Sequence, residues 1–177
     1  RVISGSSAGS IVAAVLAAHT DEEMAELDLV GMMDSDDDGS KSVLWQWVSG
    51  MGSRLTAEDT EKLIAATIPD LTFGEAYAKT GRQVSITVAP AEPHQRSRLL
   101  NAVSSPNVYL RSAAMASCAI PGVFPAVMLQ AKNERGEAQP YLPARRWVDG
   151  SVADDLPAKR LSRLFSTNHY VVSMVNP

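Results

Sequence analysis

Hydrophobic and polar positions along the chain follow a period of two, a helical period or an unbroken apolar run, and each pattern predicts an element. Arg1-Val2-Ile3-Ser4 reads as the end of a strand, while Ser10 to His19, SIVAAVLAAH, is apolar almost throughout and predicts a helix buried on most sides. Asp21 to Met33 is amphipathic instead, with Met24, Leu27, Val30 and Met33 on one stripe, and Thr20 with Glu23 forms a capping box at its start. The loop DSDDDGS breaks that helix. Thr56 with Asp59 opens another over Ala57 to Ile68, stopped near Pro69. Gln83 to Ala89 alternates in period two and predicts a strand, with a second strand at Arg98 to Val103. Tyr109 to Ala119 is helical and ends before Pro121. KNERGEAQ, Lys132 to Gln139, is a polar hairpin-like connection leading to a strand that ends at Trp147-Val148. Leu156 to Phe165 has the spacing of a short amphipathic helix, and Tyr170 to Val175 that of a final apolar strand.

Strands alternating with helices, without repeats or a linker, predict one layered α/β domain over residues 1–177 with a mostly parallel sheet. Composition agrees: 177 residues suffice for a substantial core, and 45% hydrophobic with 20% charged residues is ordinary for a globular protein. A net charge of −4, with no Lys/Arg cluster beyond doublets such as Arg145-Arg146 and Lys159-Arg160, argues against a nucleic-acid partner. The single cysteine, Cys118, excludes an internal disulfide framework and suits a reducing compartment. Its setting, AAMASCAIPGVF, reads as that of a buried small hydrophobe. The longest apolar run, Ile11 to Ala18, is far too short to cross a membrane, and no targeting segment is visible. An intracellular or peripheral-membrane location is the expectation.

Between the first strand and the first helix stands Gly5-Ser6-Ser7-Ala8-Gly9, a GxSxG sequence centred on Ser7. The motif has a mechanical meaning: a strand ends, turns sharply and opens a helix, holding the central serine at the tip of a strained turn, with Gly5 and Gly9 leaving room for close strand-to-helix contact. At average glycine and serine usage of roughly 7% each, a chain of this length carries such a match by chance about one time in twenty. Context therefore decides, and the required strand, turn and helix are all predicted. Ser7 is the candidate nucleophile. An elbow needs a full strand before it and only four residues precede Gly5, so the chain is expected to be an N-terminally incomplete domain.

A serine hydroxyl needs a base. Two schemes are open. In one, Asp149 of WVDGS is that base, placed on a turn at a strand end where α/β sheets line their ligand crevice. In the other, the order Ser7, Asp149, His169 copies the triad order of α/β-hydrolases, with His169 as base. His19, at a helix end, and His94, in a Pro-flanked loop, read as structural or solvated. Asp34, Asp36, Asp38 and Gly39 reproduce the first half of an EF-hand loop, but its twelfth position is Trp45 where a bidentate Glu is required, so a solvated acidic loop is expected and no metal or cofactor. VLWQWV, Val43 to Val48, reads as core packing, with an interfacial lipid contact as the alternative.

The chain resembles the patatin-like lipid acyl hydrolases, in the branch that includes fungal and plant triacylglycerol lipases. RVISGSSAGSIVAAV around Ser7, TDEE (Thr20 to Glu23), SCAIPGVFPAV (Ser117 to Val127), WVDGSVADDLP (Trp147 to Pro157) and NHYVVSMVNP (Asn168 to Pro177) carry the likeness. At the second site Asp149-Gly150-Ser151 stands where many patatin-like proteins have Asp-Gly-Gly. The resemblance implies an α/β/α layered domain, a Ser7/Asp149 dyad without a catalytic histidine, an acyl-enzyme, and a lipid substrate met at a membrane or lipid-droplet surface. It also implies an oxyanion hole supplied chiefly by a Gly-rich loop upstream of the elbow. That loop is not in this sequence. The backbone amides of Ala8 and Gly9 would then be a partial oxyanion site, and the chain alone is expected to be weakly active or inactive.

Overall fold

The computed structural model describes residues 1–27, 56–151 and 156–173. In chain order these form β1 (Val2–Gly5), α1 (Ala8–Ala18), α2 (Asp21–Glu26), α3 (Ala57–Thr67), α4 (Phe73–Thr80), β2 (Gln83–Pro90), β3 (Arg98–Asn101), α5 (Leu110–Ser117), β4 (Gln130–Lys132), β5 (Ala138–Pro140), β6 (Trp147–Asp149) and α6 (Ala158–Phe165). The fold is α/β. Thr20, Thr56 and Thr72 each cap a helix through a complete capping box, with Glu23, Asp59 and Glu75 as the returning side chains. The third box opens α4, a helix the hydrophobic spacing did not predict; Gly81, left-handed at φ 67, closes it.

β2 organises the sheet. It is buried from Val84 to Pro90, so both of its faces are covered. β1 runs parallel to it with Gly5 opposite Ile86; β3 runs antiparallel with Leu100 opposite Ile86 and Arg98 opposite Val88; β6 runs antiparallel with Asp149 opposite Val88. A strand has two edges, and Ile86 pairs with both β1 and β3 while Val88 pairs with both β3 and β6. β1 and β6 therefore share the edge opposite β3, lying end to end along it. Because one is parallel and the other antiparallel to β2, their carboxyl ends meet. The alternation of strands and helices predicts a mostly parallel sheet, whereas the described pairings of this sheet are mixed, one parallel and two antiparallel. β3 follows β2 through a short connection that folds back, and β6 returns beside the same strand.

α1 is the central helix, with Ile11, Ala13, Ala14, Val15, Ala17 and Ala18 in a core shared with Phe73, Ile86, Val88, Leu110 and Trp147. Small side chains let it lie close to β1 and β2. The large members of that core each contribute about 1.5–3 kcal/mol by leaving water. The C-terminal carbonyls of α1 are all claimed: Arg82 donates to Leu16 O and His19 O, Thr80 Oγ1 to Ala17 O, and Lys79 Nζ to Ala18 O. Cations at that end also suit the helix dipole.

Several predicted boundaries move. The strand at Arg98 ends at Asn101, because the Asn101 side chain accepts from the amides of Val103 and Ser104 and turns the chain. The polar connection at 132–139 is the turn of the β4/β5 hairpin, with Gly136 at φ 82. The strand expected over Tyr170 to Val175 is not formed at residues 170–173, where Val171 is fully exposed and Tyr170 instead bonds back to Ala158 O and Thr167 O. Residues 174–175, the second half of the helix expected over 21–33, the acidic loop with Asp34, Asp36 and Asp38, and the Trp45/Trp47 patch lie outside the described residues. Among the described residues no helix is long and apolar enough to cross a membrane.

Candidate active site

Where β1 ends, the chain makes the expected turn. Ser7 has φ 50 and ψ −129, a left-handed region that non-glycine residues enter at a cost of about 1–3 kcal/mol. Immediately afterwards α1 begins at Ala8, so Ser7 is its N-cap, with no side-chain capping bond. The hydroxyl-bearing side chain is thus held at the apex between a strand and the positive end of a helix dipole. Gly5 makes the close approach that this turn requires. A Cβ there would stand 2.2 Å from Gly9 O. Gly9 does not share the constraint expected of it: a Cβ on Gly9 meets nothing within 4 Å.

Bonds both local and distant in sequence hold the strained serine. Its N–H donates to Ser117 Oγ at 3.0 Å, and Ser117 Oγ donates to Thr87 O at 2.8 Å. Its carbonyl accepts from Ser10 N (2.9 Å), Ser10 Oγ (2.6 Å) and Cys118 Sγ (3.4 Å). The residues that supply these bonds are buried, Ser10 and Ser117 at 0% exposure. Burial pushes the Cys118 thiol up to about 12, the Ser10 hydrogen bond opposing and the nearby Asp149 charge adding to the rise. Cys118 is therefore a small buried hydrophobe with a weak S–H donor, as its sequence setting suggested.

Asp149 is the last residue of β6 and is 2% exposed. Its N–H donates to Ala119 O at 2.9 Å, and its Oδ1 accepts from the Ser151 amide at 2.8 Å, a turn that orients the carboxylate. Gly150 then packs on the backbone of β2: a Cβ would come within 2.7 Å of Thr87 Cγ2 and 2.8 Å of Val88 N. β6 is further pinned by the reciprocal Val127 and Trp147 amide bonds, at 2.8 Å each. Gly5 and Asp149 face β2 two residues apart, at Ile86 and Val88, which is about 7 Å along a strand. The segment Ser117 to Ala119 spans this gap, binding Ser7 at one end and Asp149 at the other. Sequence reasoning read that segment as a helix end with a buried Cys118 and as part of a resemblance, and gave Ser117 no role; a serine at a helix end carries no distinctive signal of its own.

Of the two candidate oxyanion amides, the Gly9 N–H donates to Ser6 O at 3.0 Å. The Ala8 N–H, at the first helical position, has no intrahelical acceptor. His169 is exposed, and its Nδ1 lies 2.8 Å from Asn168 Oδ1, although in a triad that nitrogen faces the aspartate. His19 Nδ1 lies 2.9 Å from Val15 O, inside its own helix, and His94 is an exposed loop residue.

Comparison with known proteins shows the family of the chain. A family model described as patatin-like phospholipase matches residues 1–161. Triacylglycerol lipase 4 of Saccharomyces cerevisiae is 42% identical over 190 residues, covering 99% of this chain and 21% of its own length. Triacylglycerol lipase 5 of the same yeast is 38% identical over 194 residues, covering 99% of this chain and 26% of its own length. A patatin-like phospholipase domain-containing protein of Neurospora crassa is 36% identical over 180 residues, with 99% and 21% covered. The chain thus spans about a fifth to a quarter of the length of these relatives. With an elbow at Ser7, an Asp-Gly turn delivered to the same edge of the sheet, and a family match over nearly all of its residues, the chain belongs to the patatin-like phospholipase family.

Proposed function

We propose that the protein is a serine lipid acyl hydrolase that cleaves fatty acyl esters through Ser7 and Asp149. The convergence of β1 and β6 on one edge of β2 is the observation that carries this reading, since it delivers a strained serine and a buried carboxylate to neighbouring strand ends. Ser7 Oγ attacks the ester carbonyl carbon while its proton passes to the Asp149 carboxylate. The tetrahedral oxyanion is met by the Ala8 N–H at the positive end of α1; the Gly9 N–H, engaged with Ser6 O, contributes only if that bond opens. Collapse expels the alcohol, which takes the proton from Asp149. Water then attacks the acyl-serine, gives its proton to Asp149, and releases the fatty acid as Ser7 recovers its hydrogen.

The substrate class is a triacylglycerol or a glycerophospholipid, presented at a membrane or lipid-droplet surface. The names of the yeast relatives support the former and the family name the latter. The α/β/α layering of the family is proposed for the domain as well. Ser7→Ala, Asp149→Asn and His169→Ala are to be compared in the full-length protein on a soluble fatty acyl ester and on emulsified triolein. The first two lower turnover by about 10²–10⁴-fold while His169→Ala leaves it within a factor of about two. A loss of turnover in His169→Ala as well replaces the dyad by a triad, and an unaltered Ser7→Ala makes the protein a lipid-binding scaffold.

A further inference from the structure

We propose that Ser117 is a positioning residue that sets the Ser7 elbow against β2, and through it against Asp149. The proposal rests on the reading of Ser7 as nucleophile where turnover is concerned, and on geometry alone where the elbow's conformation is concerned.

The direction of each bond is fixed by chemistry. An amide N–H can only donate, so Ser117 Oγ accepts from Ser7, and its single proton is left for Thr87 O. The result is a directional relay from the Ser7 amide through the Ser117 hydroxyl to the Thr87 carbonyl. Thr87 is the residue between the two register positions at which β1 and β6 end. Ser117 thus ties the nucleophile's backbone to the midpoint of the junction that also carries the aspartate. Its neighbour Cys118 donates to Ser7 O, and Ala119 accepts from the Asp149 amide. One short segment therefore grips both ends of the Ser7 residue and one end of Asp149.

Local structure does not do this work. Ser7 has no side-chain capping bond, and its φ of 50 is not one that a serine adopts without external support. Ser10 restrains the carbonyl from within the same helix, but no residue near in sequence holds the amide. Removing the Ser117 hydroxyl leaves the Ser7 N–H without its acceptor and frees the peptide to rotate toward an ordinary conformation. Such rotation turns Oγ away from its attack position, while surfaces that bind the acyl chain stay in place. The signature is a fall in kcat without a rise in KM.

The test compares wild type, Ser117→Ala and Ser117→Thr by hydrogen exchange of the peptide that contains Ser7, by steady-state hydrolysis of a soluble ester, and by the rate of phosphonylation with a fluorophosphonate probe. In Ser117→Ala the elbow peptide exchanges at least about tenfold faster while the β2 peptide is unchanged, and kcat and phosphonylation fall by about ten- to a hundredfold at constant KM. Ser117→Thr, which keeps the hydroxyl, restores most of each. Should Ser117→Ala fail to fold, Ser117→Thr and Ser117→Cys grade the relay instead, and all three readouts follow hydroxyl over thiol. Unchanged exchange at the elbow, or unchanged kcat in an active protein, overturns the proposal. With the full-length protein as the enzyme, faster exchange beside a wild type that neither hydrolyses esters nor reacts with the probe overturns the hydrolase reading and leaves the positioning role standing.

Discussion

Ser7 and Asp149 are bound by residues two apart in one segment: the Ser7 amide donates to Ser117 Oγ at 3.0 Å, and the Asp149 amide donates to Ala119 O at 2.9 Å. Neither bond involves a side chain of the proposed dyad. The backbone is what the fold places, and the reactive groups inherit their positions from it. β1 and β6 arrive from opposite directions along the same edge of β2, so the junction between their ends is the one stretch of that edge where two chain reversals can stand side by side.

The glycines of the two turns separate into required and permissive. At Gly5 a methyl group would collide with Gly9 O, and at Gly150 with the backbone of Thr87 and Val88, and backbone cannot move aside as a flexible side chain does. Gly5→Ala and Gly150→Ala each destabilise by about 1–3 kcal/mol, the range for inserting volume where there is none. Gly9→Ala meets open space inside α1 and changes stability by less than about 1 kcal/mol, in the stabilising direction if helix propensity alone acts. Urea denaturation midpoints of the three variants check the order. An equal loss at Gly9 and Gly5 contradicts it.

The turns at Ser7 and Asp149 are legible from sequence because their signals are local: apolar run, small-residue turn, apolar helix, and Asp-Gly behind a strand. The sense of the sheet was not. Alternation of elements predicts a parallel arrangement, yet the pairings that bring Asp149 to the elbow depend on β6 running backwards beside β2, which no local spacing encodes. The hydrophobic spacing does not predict α4, although Thr72 and Glu75 form its capping box, because its apolar face is short, with Phe73 and Ala76 its buried members. The apolar run at Tyr170 to Val172 shows the opposite failure: β-branched residues predict a strand, but a strand needs a neighbour, and here Tyr170 is drawn to α6 instead.

Cys118 is expected to be chemically silent in the native protein. Its thiol is 1% exposed, and burial raises it to about 12, so the thiolate that reacts with disulfide reagents is scarce at neutral pH. Native protein incubated with 5,5′-dithiobis(2-nitrobenzoic acid) at pH 8 releases less than about a tenth of the chromophore per chain on the timescale in which denatured protein reacts fully. Rapid labelling of the folded state would mean that α5 opens at its C-terminal end.

Glu75 gives stability an acid dependence of known sign. Burial pushes its carboxyl up, but the bonds from Lys132 and the Thr72 amide outweigh it and hold the group below the ordinary value of 4.5. A carboxyl with a depressed folded-state pKa contributes stability above its unfolded pKa and loses it as pH falls through the folded one. The contribution therefore fades below pH 4.5. Because the Glu75 side chain is 40% exposed, solvent screening keeps it small. The urea midpoint of Glu75→Gln falls less steeply than that of wild type between neutral and acid pH, and parallel curves would remove this pair from the acid response.

Arg82 and Asp21 are joined by an ion pair, yet their substitutions are expected to differ. The guanidinium also donates to Leu16 O and His19 O, carbonyls at the end of α1 that have no helical partner, and its side chain is 14% exposed. Asp21 is 87% exposed and offers only a solvent-screened charge. Arg82→Ala strands partly buried carbonyls and removes a cation from the negative end of the helix dipole, costing about 1.5–3 kcal/mol. Asp21→Ala costs at most about 1 kcal/mol, and raising salt to 1 M lowers even that cost because a surface pair is screened within about 3 Å. α1 carries Ser7 at its other end, so Arg82→Ala also loosens the anchorage of the elbow. Equal destabilisation by the two substitutions, measured by urea denaturation at low and high salt, would assign the effect to the ion pair and not to the helix end.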